Sequence, residues 1–316
     1  MLLEERYQAN RQIEPVQPAR MPGPINQTKP VFKNYTRQKK LDRLMIYLML
    51  VVLSILFILP FLWMVSTSIK TESQAISYPP TLWPAPFDFA NYREVFELVP
   101  FLQFYWNTIV VTGLTVIGTV ASSAVVAYAF ARIKGRGRSV WFILLLCTMM
   151  LPPQVTMIPV YLIFTELGWV NTFLPLVVPA FLGNAFFIFL LRQFFRAIPK
   201  ELEESAIIDG CSLFGIFWRI VVPLSKPALI TVAILSFMGS WNDFLTPLIY
   251  LNDIDKYTLA LGLQMFNGQQ TMQWGPMMAA STMVIFPLVV LFFIAQKHFI
   301  QGIALSGIKG YTLYGH

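Results

Sequence analysis

Thr108 to Phe130 reads TIVVTGLTVIGTVASSAVVAYAF, 23 residues without one charged side chain. A helix of that length crosses a hydrocarbon core of about 30 Å. In lipid only helices and closed barrels satisfy their own backbone groups. The stretch lacks the two-residue alternation of a barrel strand, so it is predicted to be a helix. Five further apolar stretches flank it: Leu44–Val65, Val140–Ile163, Phe173–Phe195, Ala228–Leu251 and Pro276–Ala295. Each is about 20 residues or more, again enough to span. The expected fold class is an all-α membrane protein with six transmembrane helices. Composition agrees: hydrophobic residues make up 56% of the 316-residue chain and charged residues 12%, against about 25% charged in soluble domains.

Placement of lysine and arginine gives the orientation. Of the 23 basic residues, 20 fall at or before Arg43, from Arg132 to Arg138, from Arg192 to Lys226, or after the last stretch. Only Lys70, Arg93 and Lys256 lie on the other side. The positive-inside rule then predicts both termini in the cytoplasm of a multi-pass membrane protein. The same alternation accounts for the net charge of +7 without nucleic acid as a partner. Residues 1–40 are polar and proline-rich and read as a disordered cytoplasmic tail. Residues 41–300 form the expected transmembrane domain, with a cytoplasmic loop at 196–226, and residues 301–316 form a cytoplasmic tail. Two cysteines, Cys147 and Cys211, and two histidines, His298 and His316, support neither a disulfide framework nor a metal cluster.

The predicted spans are rich in proline: Pro60, Pro152, Pro153, Pro159, Pro175, Pro179, Pro247 and Pro287. Each removes an amide donor and crowds the preceding turn. Broken helices of this kind suit a transport path, although proline is also simply commoner in membrane helices. Asp243 is the only acid in the six stretches. An intramembrane carboxylate needs a polar surrounding, and Pro247 cannot donate to the Asp243 carbonyl. Trp241, Asn242 and Asp243 are therefore candidates to line a solute path. The alternative is an aspartate near the external interface that caps a frayed helix. Asn184 is a further path candidate, or else an amide that packs between helices.

The most informative polar segment is PKELEESAIIDGCSLFGIFWRIVVP, Pro199 to Pro223. Pro199 suits the first turn of a short helix, and Glu201, Glu203 and Glu204 favour its positive end. Gly210 can end it in a left-handed conformation. Ser212 can cap a second helix, expected to end before Pro223. The result is a cytoplasmic helix-Gly-helix unit. Ala206 allows close approach by a partner. Phe214, Phe217 and Trp218 have no membrane to enter and read as a docking face.

Glu204-Ser205-Ala206, Gly210, Ile220 and Pro223 resemble the EAA loop of bacterial ABC importer permeases: Glu-Ala-Ala, three residues, Gly, nine residues, Ile, one residue, Leu-Pro. Ser205 and Val222 depart from that pattern. Asn91-Tyr92, Trp106-Asn107-Thr108, Ala127-Tyr128-Ala129-Phe130-Ala131-Arg132, Trp241-Asn242-Asp243-Phe244 and Ser306-Gly307-Ile308-Lys309-Gly310 resemble the carbohydrate, maltose-permease branch. The resemblance implies a subunit that pairs with a second, homologous permease. Two ABC ATPase subunits bind ATP and magnesium, and an extracytoplasmic solute-binding protein delivers a sugar. It implies ATPase coupling through Glu203, Glu204, Ala206, Asp209, Gly210 and Phe214. The tail from Gln301 to Gly310 follows a basic helix end and has glycines that let backbone reach into a cleft, so it is a second expected ATPase contact; the alternative is a frayed terminus. The chain carries no phosphate-binding Gly-x-x-x-x-Gly-Lys-Ser/Thr loop, so no cofactor, metal or catalytic residue is expected in it. A non-sugar solute such as glycerol phosphate or a polyol is the nearest alternative cargo. An ion-coupled secondary transporter is a more distant one, since Asp243 is the only intramembrane acid.

Overall fold

The computed structural model describes the backbone of residues 32–266 and 273–307 and the side chains of residues 42–266 and 273–296. The first 31 residues of the expected tail lie outside this range, as do Ile308 to His316, so the terminal ATPase contact is mostly untouched by it. The chain divides into two compact units, Met1–Ile58 and Leu59–His316. The boundary falls inside helix α1, Phe32–Ser68. This helix begins within the stretch read from sequence as tail.

Eleven further helices of six or more residues follow in the second unit: α2 Ala90–Leu98, α3 Phe101–Arg132, α4 Arg138–Thr148, α5 Pro153–Glu166, α6 Leu174–Phe181, α7 Ala185–Ala197, α8 Glu201–Ile208, α9 Leu213–Leu224, α10 Lys226–Trp241, α11 Leu245–Tyr250 and α12 Trp274–Gly307. No strand occurs among the described residues. Four helical spans are long and apolar enough to cross a membrane: Asp42–Ser68, Phe101–Arg132, Leu174–Ala197 and Trp274–Gln296. Two bent pairs, α4 with α5 at 96° and α9 with α10 at 78°, bring the number to six if each pair is one span.

Prolines explain where the long stretches break. Pro152 and Pro153 separate α4 from α5, so the continuous helix expected over Val140–Ile163 is two helices at nearly a right angle. Pro223 was expected beyond the end of α9. It lies inside α9 instead, immediately after a wide π turn at Phe217–Val221. A wider turn eases the clash between a proline ring and the carbonyl four residues back. The fifth stretch stops at Trp241 and resumes at Leu245. Pro247 sits in the first turn of the new helix, where its missing amide would have had no helical partner anyway. By contrast Pro60, Pro159 and Pro287 lie within continuous helices.

Helix α3 runs through the middle of the second unit and carries a core at each end. At its C-terminal end Ala124, Ala127 and Tyr128 pack with Ile188, Leu191 and Phe195 of α7, Phe217 and Val221 of α9, and Val232 of α10. At its N-terminal end Phe101 and Phe104 pack with Val95 of α2, Trp241, Leu259, and Ala279 and Ala280 of α12. At 1.5 Å per residue the two cores are roughly 30 Å apart. Lipid tails are as apolar as leucine, so close van der Waals fit, rather than exclusion of water, holds such helices together. Gly118 shows the fit: a Cβ there would lie 2.5 Å from the Phe181 ring of α6.

Candidate functional site

Helix α8 opens with Glu201, Glu203 and Glu204 in its first turn. No side chain caps it, so the acids themselves complement the exposed amides and the positive helix end. Pro199 precedes the Lys200 N-cap and stays just outside the helix. The chain then reverses at Gly210, whose φ of +80° suits glycine. Ser212 caps α9 by accepting the Gly215 amide. Exposed on the two helices are Ile207, Leu213 and Trp218, together with Ile208 at 86% and Phe214 at 71% exposure. Glu204 and Asp209 are exposed beside them, and Ala206 is half-buried.

Two residues of the expected docking set turn inward. Phe217 is buried in the core at the C-terminal end of α3, its ring 5.2 Å from that of Tyr128. Glu203 points at Arg132, the last residue of α3. Its Oε1 lies 2.9 Å from Arg132 Nε, with the side chains 12% and 6% exposed respectively. The oxygen sits off the direction of the N–H, so the contact is an ion pair rather than a well-aligned hydrogen bond. Burial pushes the Glu203 carboxyl above its usual range, and Arg132 and then Lys200 offset this only in part. Glu203 is therefore a structural group of the loop, whereas Glu204 remains free at the surface.

The expected solute-path residues divide as well. Trp241 is 3% exposed; its indole N–H donates to the Val284 carbonyl, and its ring is covered by Phe237 and Tyr105. No flat face is left for a sugar ring, a correction that follows from the second core closing over it. Asn184 caps α7, accepting the amides of Phe186 and Phe187. Asp243 accepts the Thr246 amide at 3.1 Å and so caps α11. Asn242 is exposed and donates to the Met238 carbonyl. The break is thus built as an end and a restart, with Asn242 and Asp243 between. Beside it, α11 and α5 flank an open cleft of about 190 Å³ lined by Gln154, Thr156, Met157, Leu245, Thr246 and Tyr250, among others.

Residues 121–305 match the family described as binding-protein-dependent transport system inner membrane component. The chain belongs to this family. The probable ABC transporter permease protein YurM of Bacillus subtilis is 35% identical over 84% of this chain and 87% of its own length. The arabinooligosaccharides transport system permease protein AraQ of the same organism is 30% identical over 87% of this chain and 99% of its own. Among solved structures, a chain of a bacterial ABC transporter involved in the import of the acidic polysaccharide alginate superimposes with a TM-score of 0.75 at 26% identity. The match covers 83% of this chain and 98% of that one. These likenesses make the protein a multi-pass ABC permease subunit.

Several residues of this permease that sequence reading used only as marks of resemblance turn out to be staples. The Asn91 side chain donates to the Ser68 and Lys70 carbonyls at 3.0 and 2.7 Å, and Tyr92 hydroxyl meets Ser68 Oγ at 2.8 Å. Asn107 donates to the Asp255 and Tyr257 carbonyls. Thr108 accepts the Leu259 amide at 2.8 Å. Lys70, 1% exposed, donates to the Thr81 carbonyl and lies 4.3 Å over the Trp63 ring. All these polar groups tie down the segments around residues 69–89 and 252–262, whose buried carbonyls and amides need partners.

Asn171, absent from every sequence-based expectation, ties the same region to the α5–α6 connection. Its φ is +61°, a conformation asparagine tolerates. Its side-chain oxygen accepts the amides of Asn252 and Asp253, and its nitrogen donates to the Asp253 carboxylate at 2.7 Å. Hydrogen bonds from Lys256 and Asn171 hold the Asp253 carboxyl below its usual range. A depressed carboxyl stabilises the fold above its unfolded value and loses that contribution as pH falls through the folded one. Acidification from neutrality through the carboxylate range should therefore loosen the bridge. Asn171→Gly keeps the backbone shape and deletes the side chain. It should make the Asn252 and Asp253 amides exchange about fivefold faster at neutral pH, the loss of roughly one net hydrogen bond. Unchanged exchange in hydrogen–deuterium measurements would contradict the bridge.

Proposed function

We propose that this permease is one of two homologous subunits forming the path of a sugar or oligosaccharide importer in a bacterial plasma membrane. Its loop Glu201–Pro223 docks on an ABC ATPase subunit. The carrying observation is the exposed apolar patch of Ile207, Ile208, Leu213, Phe214 and Trp218 around Gly210, in a loop whose flanking basic residues read as cytoplasmic. Exposed apolar clusters of this kind mark binding surfaces. Glu204 and Asp209 supply charges at its rim. Support for a sugar comes from relatives named for arabinooligosaccharide transport and alginate import. The family description supports delivery by a separate binding protein.

Six spans with both termini cytoplasmic follow on this reading, with α4 and α5 together as one span, α10 continued by α11 as another, and α9 outside the membrane. ATP and magnesium belong to the partner ATPase, and this chain performs no chemistry itself. The break at Asn242–Phe244 and the cleft between α5 and α11 form this subunit's share of the path. Asn242, Asp243, Gln154 and Thr246 offer hydrogen bonds to hydroxyl groups there.

Phe214→Asp tests the docking. Truncating a buried interface anchor costs about 2 kcal/mol or more, which is roughly thirtyfold in affinity. Gly210→Pro should act more strongly, since proline is locked near φ −65° and the site needs +80°. Both variants should insert normally yet fail to retain the ATPase subunits through affinity purification of the assembled transporter, with uptake lost. Full retention of the ATPase by both variants would sink the assignment.

A further inference from the structure

Arg132 joins three elements through one guanidinium. Its Nη2 donates to the carbonyls of Phe195 and Ile198, 2.6 Å each, at the C-terminal end of α7. Its Nε faces Glu203 of α8 at 2.9 Å. Arg192 of α7 returns the contact: its Nε donates to the Phe130 carbonyl in the last turn of α3, and its guanidinium lies 3.8 Å over the Phe142 ring. Each helix thus ends on the other's arginine. Carbonyls at a helix C-terminus lack intrahelical donors and carry partial negative charge, so cations there are favourable. Glu203 and Arg132 are nearly buried, and each leaves the other uncompensated if removed. Lysine cannot substitute, because a single ammonium on a flexible stem does not reproduce a planar fork that serves three acceptors.

The far side of α3 reaches the break in the fifth stretch. Thr112 meets Ser240 at 3.3 Å, and the Tyr105 ring lies edge-on to Trp241 at 5.8 Å. We propose that Arg132 is the positioning residue that locks helix α8 to α3, so that a displacement of α8 by the ATPase moves α3 and, through it, the Ser240–Trp241 end of α10. This inference rests on the docking reading above. The clamp itself is intramolecular and stands apart from that reading.

The test uses the assembled transporter in liposomes, with Cys147→Ser and Cys211→Ser as the parent. Spin labels at exposed Leu202 and Leu114 report the distance between α8 and α3. A second pair, at exposed Trp106 and Phe286, reports movement at the other end of α3 when magnesium, ATP and vanadate trap the ATPase. In the parent the first distance should be narrow and unaltered by trapping, while the second shifts. In Arg132→Gln the first should broaden and the second should lose its shift at equal nucleotide occupancy. Arg132→Lys should not restore it. A narrow first distance in Arg132→Gln, or a retained shift in the second, overturns the proposal. Retention of the ATPase subunits by unlabelled Phe214→Asp separates the two ideas. If they are fully retained, docking fails and the transmission drawn from it falls too. If they are lost while Arg132→Gln changes neither distance, the clamp alone is refuted.

Discussion

Gly262→Ala is expected to destabilise the permease by about 3 kcal/mol, counting overpacking and a strained buried hydrogen bond. A Cβ at position 262 would stand 2.3 Å from the Phe104 ring. Phe104 is 1% exposed and packed in the second core, so it has nowhere to retreat. The turn Leu259–Gly262 would have to lift from α3, stretching the 2.8 Å bond from the Leu259 amide to Thr108. Gly113→Ala is the control. It lies on the same helix α3, its Cβ would meet nothing within 4 Å, and alanine favours a helix by up to about 1 kcal/mol over glycine. Thermal unfolding of the purified chain in detergent should show a large loss for position 262 and none for position 113. Equal behaviour of the two would mean that the turn does not seat on α3 as described.

Asn91→Ala should cost a comparable amount, roughly 3 kcal/mol, because it orphans two buried carbonyls at once. Ser68 and Lys70, whose carbonyls accept from Asn91, are fully buried. The amide group is also wedged against Gly275 of α12, where a Cβ would come within 2.3 Å of its oxygen. Gly275→Ala should therefore reproduce much of the loss by pushing the Asn91 amide off its carbonyls. Limited proteolysis gives the local readout: both variants should expose the segment 69–89 to cleavage at temperatures where the parent resists. Resistance equal to the parent in both would show that the segment does not depend on the Asn91 amide.

Some of the site was visible in the residue string. The acids at the start of α8, the glycine reversal at 210 and the Ser212 cap are local features, set by residues a few positions apart, and local chemistry shows in sequence. The family resemblance of Glu204 to Pro223 rested on such a spacing, and the family match covers that segment. The proline-bearing breaks were visible as positions but not as angles. Pro152 and Pro153 precede a 96° bend, while Pro60 and Pro287 sit in helices that continue. What differs is whether neighbouring elements hold the chain on a new course.

Composition and the alternation of basic residues are properties of the string, and a membrane reads them almost residue by residue; hence a helical, multi-pass chain follows from them without any contact. Which side of each helix meets protein is another matter. In water an apolar stripe marks the buried face, but a helix in lipid is apolar all round, and periodicity then carries no such mark. Trp241 could be read as a solute contact and Phe217 as a docking group because nothing in their own helices showed that Phe237 and Tyr105 cover one and Tyr128 the other. Glu203 looked like its neighbour Glu204 until Arg132, far away in sequence, was brought to 2.9 Å from it. Those assignments depend on partners supplied by other helices, and only packing chooses the partners.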